Sequence, residues 1–236
     1  MGMSSVSLPI IMLYLSRILF LFCFSFTSLL YASPPLLVTQ FDQNSLSDWQ
    51  EKSFKGHTKY EFTQLDGLNC LQATANASAS GWFKEQKIDL KETPFLNWSW
   101  WVGDRLNGLN EQEKSGDDYV ARLYVVIDGG WKIWNTKALN YVWSSNQAQF
   151  SEWNNAFVGA NAKMLAVQGK DQPVRQWHYE KRNVYQDLVR VYGDLGSEQA
   201  NEEAYRYIDA IALMTDTDNS ERQASACYGA ISFTAE

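Results

Sequence analysis

Residues 114–144 read KSGDDYVARLYVVIDGGWKIWNTKALNYVWS, and the fold class follows from how this stretch alternates. Tyr119, Ala121, Leu123, Val125 and Ile127 fall on one side of an extended chain, and Asp118, Val120, Arg122, Tyr124 and Val126 on the other. Successive strand side chains point to opposite faces, so the spacing predicts a central strand over 119–127. Its first set faces a core, with an arginine and a tyrosine on its back. Gly129-Gly130 turn the chain into a segment bearing Trp131, Trp134 and Trp143, and Lys137–Trp143 returns as a strand.

The same period recurs on both sides of this stretch. Strands are expected at 36–41, 59–63, 68–75, 82–90, 95–102, 164–168, 177–182, 207–214 and 224–234. Asp66-Gly67 marks a hairpin turn, and Pro94 breaks the chain before 95–102. Residues 207–214 are apolar on both faces, which predicts burial between layers. One helix is expected near 184–192: Asn183 can cap it, Val184, Leu188 and Val191 form its stripe, and Gly193 ends it. Residues 197–205 suit a second short helical turn. Short strands, frequent turns and one helix predict an all-β chain. The expected form is a two-sheet antiparallel β-sandwich, a jelly roll like those of carbohydrate-binding modules.

Residues 1–32 read as a secretory signal, with Arg17 before the apolar run 18–30 and Ala32 at the cut. A start at Met12 would give a more conventional leader. The alternative is an uncleaved anchor, the one route by which this chain would meet a membrane. Residues 33–236 are then a single β-sandwich domain, exported to the periplasm or beyond the cell. Removing Arg17 from the 20 basic residues leaves a net charge of −8 against 27 acidic ones. That balance, with no basic cluster, excludes nucleic acid as a partner. Export permits a Cys70–Cys227 bridge. Alternation argues against it, setting Cys70 outward from Leu71, Ala73 and Ala75 while Cys227 lines up with inward Ile231 and Phe233.

The segments SGDDYVARLYV (115–125), TKALNYVW (136–143), WHYEKRNV (177–184), MTDTDN (214–219) and ACYGAISF (226–233) resemble, in collinear order from about Trp82 to Phe233, a bacterial exported family. The family is domain of unknown function 3047 (DUF3047). This resemblance implies no activity or cofactor, and at fold level the analogy is with carbohydrate-binding jelly rolls. The chain departs at Ala230, where the family often carries an aspartate.

Three constellations could carry chemistry. Asp216, Asp218 and Asn219 offer oxygens at close spacing after a buried strand, as a calcium ion requires; an Asx-rich turn is the alternative. His178, Glu180 and Arg182 share a strand face. With Arg122, Tyr124 and an outward set of Asn97, Ser99 and Trp101, they would make a polar groove with aromatic platforms for a glycan, if one sheet carried all three. An ion pair of Glu180 with Arg122 or Arg182 is the alternative. Trp143, with Trp131 and Trp134, suits a binding rim, whereas Trp98, Trp100 and Trp177 suit the core. Paired carboxylates about 5 to 10 Å apart would allow glycoside hydrolysis. Asp117 and Asp118 are adjacent, so on a strand they diverge. Two histidines in unrelated segments exclude a histidine-rich metal site.

The expectation is an exported, non-catalytic module that binds a polysaccharide or another cell-envelope component on a polar, aromatic-bearing sheet face. One alternative is a carbohydrate-active hydrolase or lyase using Glu180 with a second carboxylate. The other is a structural or partner-binding envelope protein.

Overall fold

The structure is a computed structural model that describes residues 1–2, 34–42, 46–130 and 136–236. The signal segment, Trp131 and Trp134 lie outside the described residues. No described helix is long and apolar enough to cross a membrane.

Two sheets face each other. The six-stranded sheet has the order β11 (Trp177–Asn183), β6 (Phe95–Val102), β13 (Gln223–Thr234), β4 (Leu68–Asn76), β3 (Lys59–Leu65), with β1 (Leu36–Thr39) also on β13. The seven-stranded sheet runs β2 (Gln50–Lys55), β5 (Ala79–Asp89), β12 (Tyr207–Asp216), β7 (Ala121–Ile127), β8 (Lys137–Trp143), β10 (Gly159–Gln168), β9 (Glu152–Asn155). Pairing is antiparallel except between β8 and β10, which run parallel. The β-sandwich read from the alternation is therefore the architecture, with β7 at the middle of its sheet.

The core lies between the inner faces. Register sets Trp82, Leu213, Leu123, Tyr141 and Leu165 side by side across the seven-stranded sheet. Opposite them, Leu96, Trp98, Trp100 and Val102 of β6 are buried. Trp98 and Trp100 meet edge-on at 5.4 Å, and Trp100 reaches Trp143 across the sandwich at 6.0 Å. Trp143 is thus core, not rim. The alternation 139, 141, 143 already groups it with buried Leu139 and Tyr141.

Helix α1 (Val184–Tyr192) begins where the Asn183 side chain accepts the Gln186 N–H and stops at Gly193, whose φ of 103° favours glycine. A second helix, α2 (Glu198–Tyr205), is capped by Ser197. β2 was not foreseen, because all of QEKSFK is exposed on a sheet edge and shows no apolar period. β9 is four residues long with only Trp153 buried.

Three expectations fail for local reasons. A register shift between Tyr228 and Ile231 reverses the faces of β13: Ala224, Ala226 and Tyr228 point inward before it, Ile231 and Phe233 after it. Cys227 therefore shares the outer face with Cys70, and the two form a disulfide with Cα atoms 5.6 Å apart. In β7 the alternation holds only from Ala121. A bend at Val120 sends Val120 into the main core and Tyr119 to the other side, against Trp153 and Val142. Trp177 pairs with Trp101 on the outer face of the six-stranded sheet, away from the core.

Candidate functional site

The outer face of the seven-stranded sheet carries rows of side chains set by the register. One row runs Glu85, Ala210, Val126, Ala138, Ala162, and the next Phe83, Ala212, Tyr124, Asn140, Met164. A third runs Gly81, Met214, Arg122, Val142, Ala166. Small residues at Gly81, Ala138, Ala162, Ala210 and Ala212 leave room above the sheet. Two hollows form there, of about 720 and 480 Å³, and they meet at Phe54, Tyr124 and Met214. Residues 207–214 were expected to be buried on both faces. Their outer alternates Ala210 and Ala212 instead line this surface, because they are small where Ile211 and Leu213 are large.

Rings frame the hollows. Phe54, from the edge strand β2, is 66% exposed, and Phe157, in the turn after β9, is 52% exposed. The turn is held by Asn155: its Oδ1 accepts the N–H groups of Phe157 and Val158, while its Nδ2 donates to both oxygens of Asp117. Tyr124, half-buried where the hollows meet, donates among the described residues to the thioether of Met214, at 3.4 Å, which is a weak acceptor. Burial raises its pKa, so the phenol stays a donor. Asn140 directs its Nδ2 to the carbonyls of Ala138 and Lys163.

The base of the smaller hollow is charged. Arg122 is 5% exposed. Its Nε donates to Asp216 Oδ1 at 3.0 Å, its Nη2 contacts Asp216 Oδ2, and its Nη1 lies 3.6 Å from Asp117 Oδ2. The guanidinium also sits 4.5 Å from the Tyr119 ring centre. Asp216 further accepts the Tyr119 N–H. Asp118, Asp216 and Asp218 each bring a carboxylate oxygen within 4.8 Å of the others. Asp118 accepts the N–H groups of Asn219 and Ser220 and the Asn219 amide, holding the turn after β12. The pKa of Asp218 is raised by burial and then by the charge of Asp118.

The third member of the acidic group is thus Asp118, while Asn219 presents N–H. Asp117 and Asp118 do not diverge as strand neighbours would, because residues 117–120 precede β7; Asp117 reaches Arg122, and an Asp118 oxygen comes within 4.8 Å of Asp216.

The structure divides the anticipated glycan groove. Arg122 and Tyr124 lie on the outer face of the seven-stranded sheet, together with Asp216, Asp218 and Asn219. Trp101 lies on the outer face of the other sheet, at a hollow of about 180 Å³ beside Cys227. His178, Glu180 and Arg182 pair with Trp100, Trp98 and Leu96, so they share the inner face of β6 and look into the sandwich. Glu180 accepts from Trp100 Nε1 at 2.9 Å and Gln168 Nε2 at 2.6 Å, and burial raises its pKa against both bonds. Arg182 pairs with Asp187, not Glu180, and Asp187 also accepts from Tyr141 and Arg190. His178 meets the Trp143 ring at 4.7 Å and the Pro173 carbonyl at 2.8 Å. These residues close the open edge of the sandwich. They do not join Arg122 and Tyr124, because the seven-stranded sheet stands between them.

Phe54, Phe157, Asn140 and Asn155 were not anticipated. The signal available for them was a small-residue face opposite a large-residue face in β12; both rings sit where alternation is weakest.

The model of the family described as Protein of unknown function (DUF3047) matches residues 47–232. No curated protein matches the sequence. Among solved structures, the family 11 carbohydrate-binding module of the cellulosomal cellulase Lic26A-Cel5E of Clostridium thermocellum is similar at 9% identity. It covers 86% of this chain and 95% of its own, with a TM-score of 0.43. The Clostridium thermocellum family 11 module in complex with a β-1,3-1,4-mixed-linked tetrasaccharide gives 10%, 84%, 94% and 0.43. Cellulose induced protein, Cip1, gives 10%, 84%, 96% and 0.45. Likeness at these values carries no information on what this chain binds.

Proposed function

This chain belongs to the DUF3047 family, and from that premise we propose that it is an exported, non-catalytic module that binds a glycan across the outer face of its seven-stranded sheet. One observation carries the reading: two hollows share a floor of small side chains, are bordered by exposed rings, and meet at a phenol whose acceptor among the described residues is a thioether. Sugar CH groups pack on ring faces while hydroxyls need directed partners, and Phe54, Tyr124, Asn140 and Phe157 offer both. The Cys70–Cys227 bridge and the leader expected over 1–32 support export to an oxidising compartment.

The hydrolase alternative is less well supported. Glu180 is engaged by Trp100 and Gln168 on the inner side of the other sheet, and Asp216 and Asp118 are engaged by Arg122 and the 219–220 turn. Screening the mature chain against an oligosaccharide array, followed by calorimetry on the hits, tests the reading. Tyr124→Ala and Phe54→Ala should weaken binding with the melting temperature retained. Binding that survives both but is lost in Trp101→Ala would move the site to the opposite sheet and end this reading.

A further inference from the structure

Resting on that reading, we infer that the ligand of the two hollows is a glycan bearing free amines, and that acidic polysaccharides are excluded. Four carboxylates not paired with Arg122 line the hollows, Glu85, Asp128, Asp209 and Asp218, against Lys52 in the lining and Lys114 at 5.4 Å over the Phe157 ring, while buried Asp117 and Asp216 are neutralised by Arg122. Arg122 offers nothing to an anionic ligand, because Asp216 and Asp117 already occupy its guanidinium. Lys52 stands over the Phe54 ring at 5.7 Å. Lys55 donates to the Asp218 carbonyl, so it braces the backbone there.

The carboxylates sit at both ends of the surface. Glu85 and Asp128 are exposed beside the larger hollow, where Asp209 accepts the Asp128 N–H, and Asp218 borders the smaller one. Between them lies the uncharged stretch of Tyr124, Ala138, Ala210 and Ala212. A uronate or phosphate placed on that stretch meets negative charge at either end. A chain of amino sugars lays its ring faces on the rings and brings ammonium groups to the carboxylates. Charge complementarity of this kind sets partner choice and salt dependence more than total affinity.

The test uses the mature chain and three hexasaccharides: glucosamine, N-acetylglucosamine with the same linkage, and galacturonate, each titrated calorimetrically at low and high salt. The glucosamine hexamer should bind about tenfold tighter than the galacturonate one, as a few exposed ion pairs allow. The gap should close at high salt and in the Glu85→Gln/Asp128→Asn double variant. Equal or tighter binding of galacturonate overturns the inference, and so does an amine preference that persists in the double variant. Binding of the N-acetylated hexamer alone, lost in Tyr124→Ala, overturns the inference and leaves the glycan reading standing. An oligolysine that binds as tightly as the glucosamine hexamer overturns the assignment to a glycan, and binding by none of the three sugars overturns both.

Discussion

Replacing Arg122 with methionine isolates the energetics of the floor beneath the smaller hollow. Arg122 and its partners Asp216 and Asp117 have side chains 6%, 1% and 5% exposed, so solvent screens none of them appreciably. Arg122→Met keeps much of the volume and leaves two buried carboxylates without their cation. Removing one member of a buried pair costs about 3–5 kcal/mol. In a domain of this size that is a fall in melting temperature of roughly 6–20 °C. The pH dependence has a definite sign. Without Arg122, desolvation disfavours the charged form of the two stranded carboxyls. The deficit is therefore largest near neutral pH and shrinks as acid neutralises the stranded carboxyls. Adding Asp216→Asn, which keeps an acceptor for the Tyr119 N–H, should recover more than half of the loss at pH 7. Urea unfolding from pH 7 to pH 4 measures each quantity. A deficit below about 1 kcal/mol, or one that does not change with pH, would refute the reasoning.

Other outcomes follow from other parts of the molecule. The Cys70→Ala/Cys227→Ala variant should lose about 2–5 kcal/mol of stability, because the bridge closes a loop between residues 157 apart; an unchanged denaturant midpoint would count against this. Glu180 has a raised pKa, so the folded protein holds that proton more tightly than the unfolded chain, and stability declines as pH rises through the raised value. Glu180→Gln, which can keep Oε1 for Trp100 and Gln168, should melt higher than the parent at pH 7, with the advantage gone near pH 4. Calcium should leave the melting temperature unchanged, since Asp216 is paired with Arg122 and Asp118 is committed to the 219–220 turn; a saturable rise would make Asp118, Asp216 and Asp218 ligands.

The layered fold was legible wherever one face of a strand is large and apolar. β6 and β8 appear with the ends expected, and the Asp66-Gly67 turn carries positive φ at both residues, as a two-residue hairpin loop requires. The edge strand β2 was not legible, because it buries nothing and so has no apolar period to read. The site was half legible. Arg122 and Tyr124 point outward as the alternation says, because β7 is regular where they sit. His178, Glu180 and Arg182 do share one face, but which one is decided by pairing with β6, far away in the chain. The two cysteines were separated by a period-two count carried through Gly229-Ala230, where a bulge adds one step. Phe54 and Phe157 reach the hollows through tertiary placement of an edge strand and a turn, which no local pattern encodes.

The most direct measurement is the location of the bound ligand, read by amide chemical-shift mapping with whichever oligosaccharide the array returns. The perturbed amides should cluster on β2, β5, β7, β8 and β12, centred on Tyr124 and reaching the turn at Phe157. Perturbations gathered instead around Trp101 and Cys227, or along β11 at Glu180, would contradict that placement.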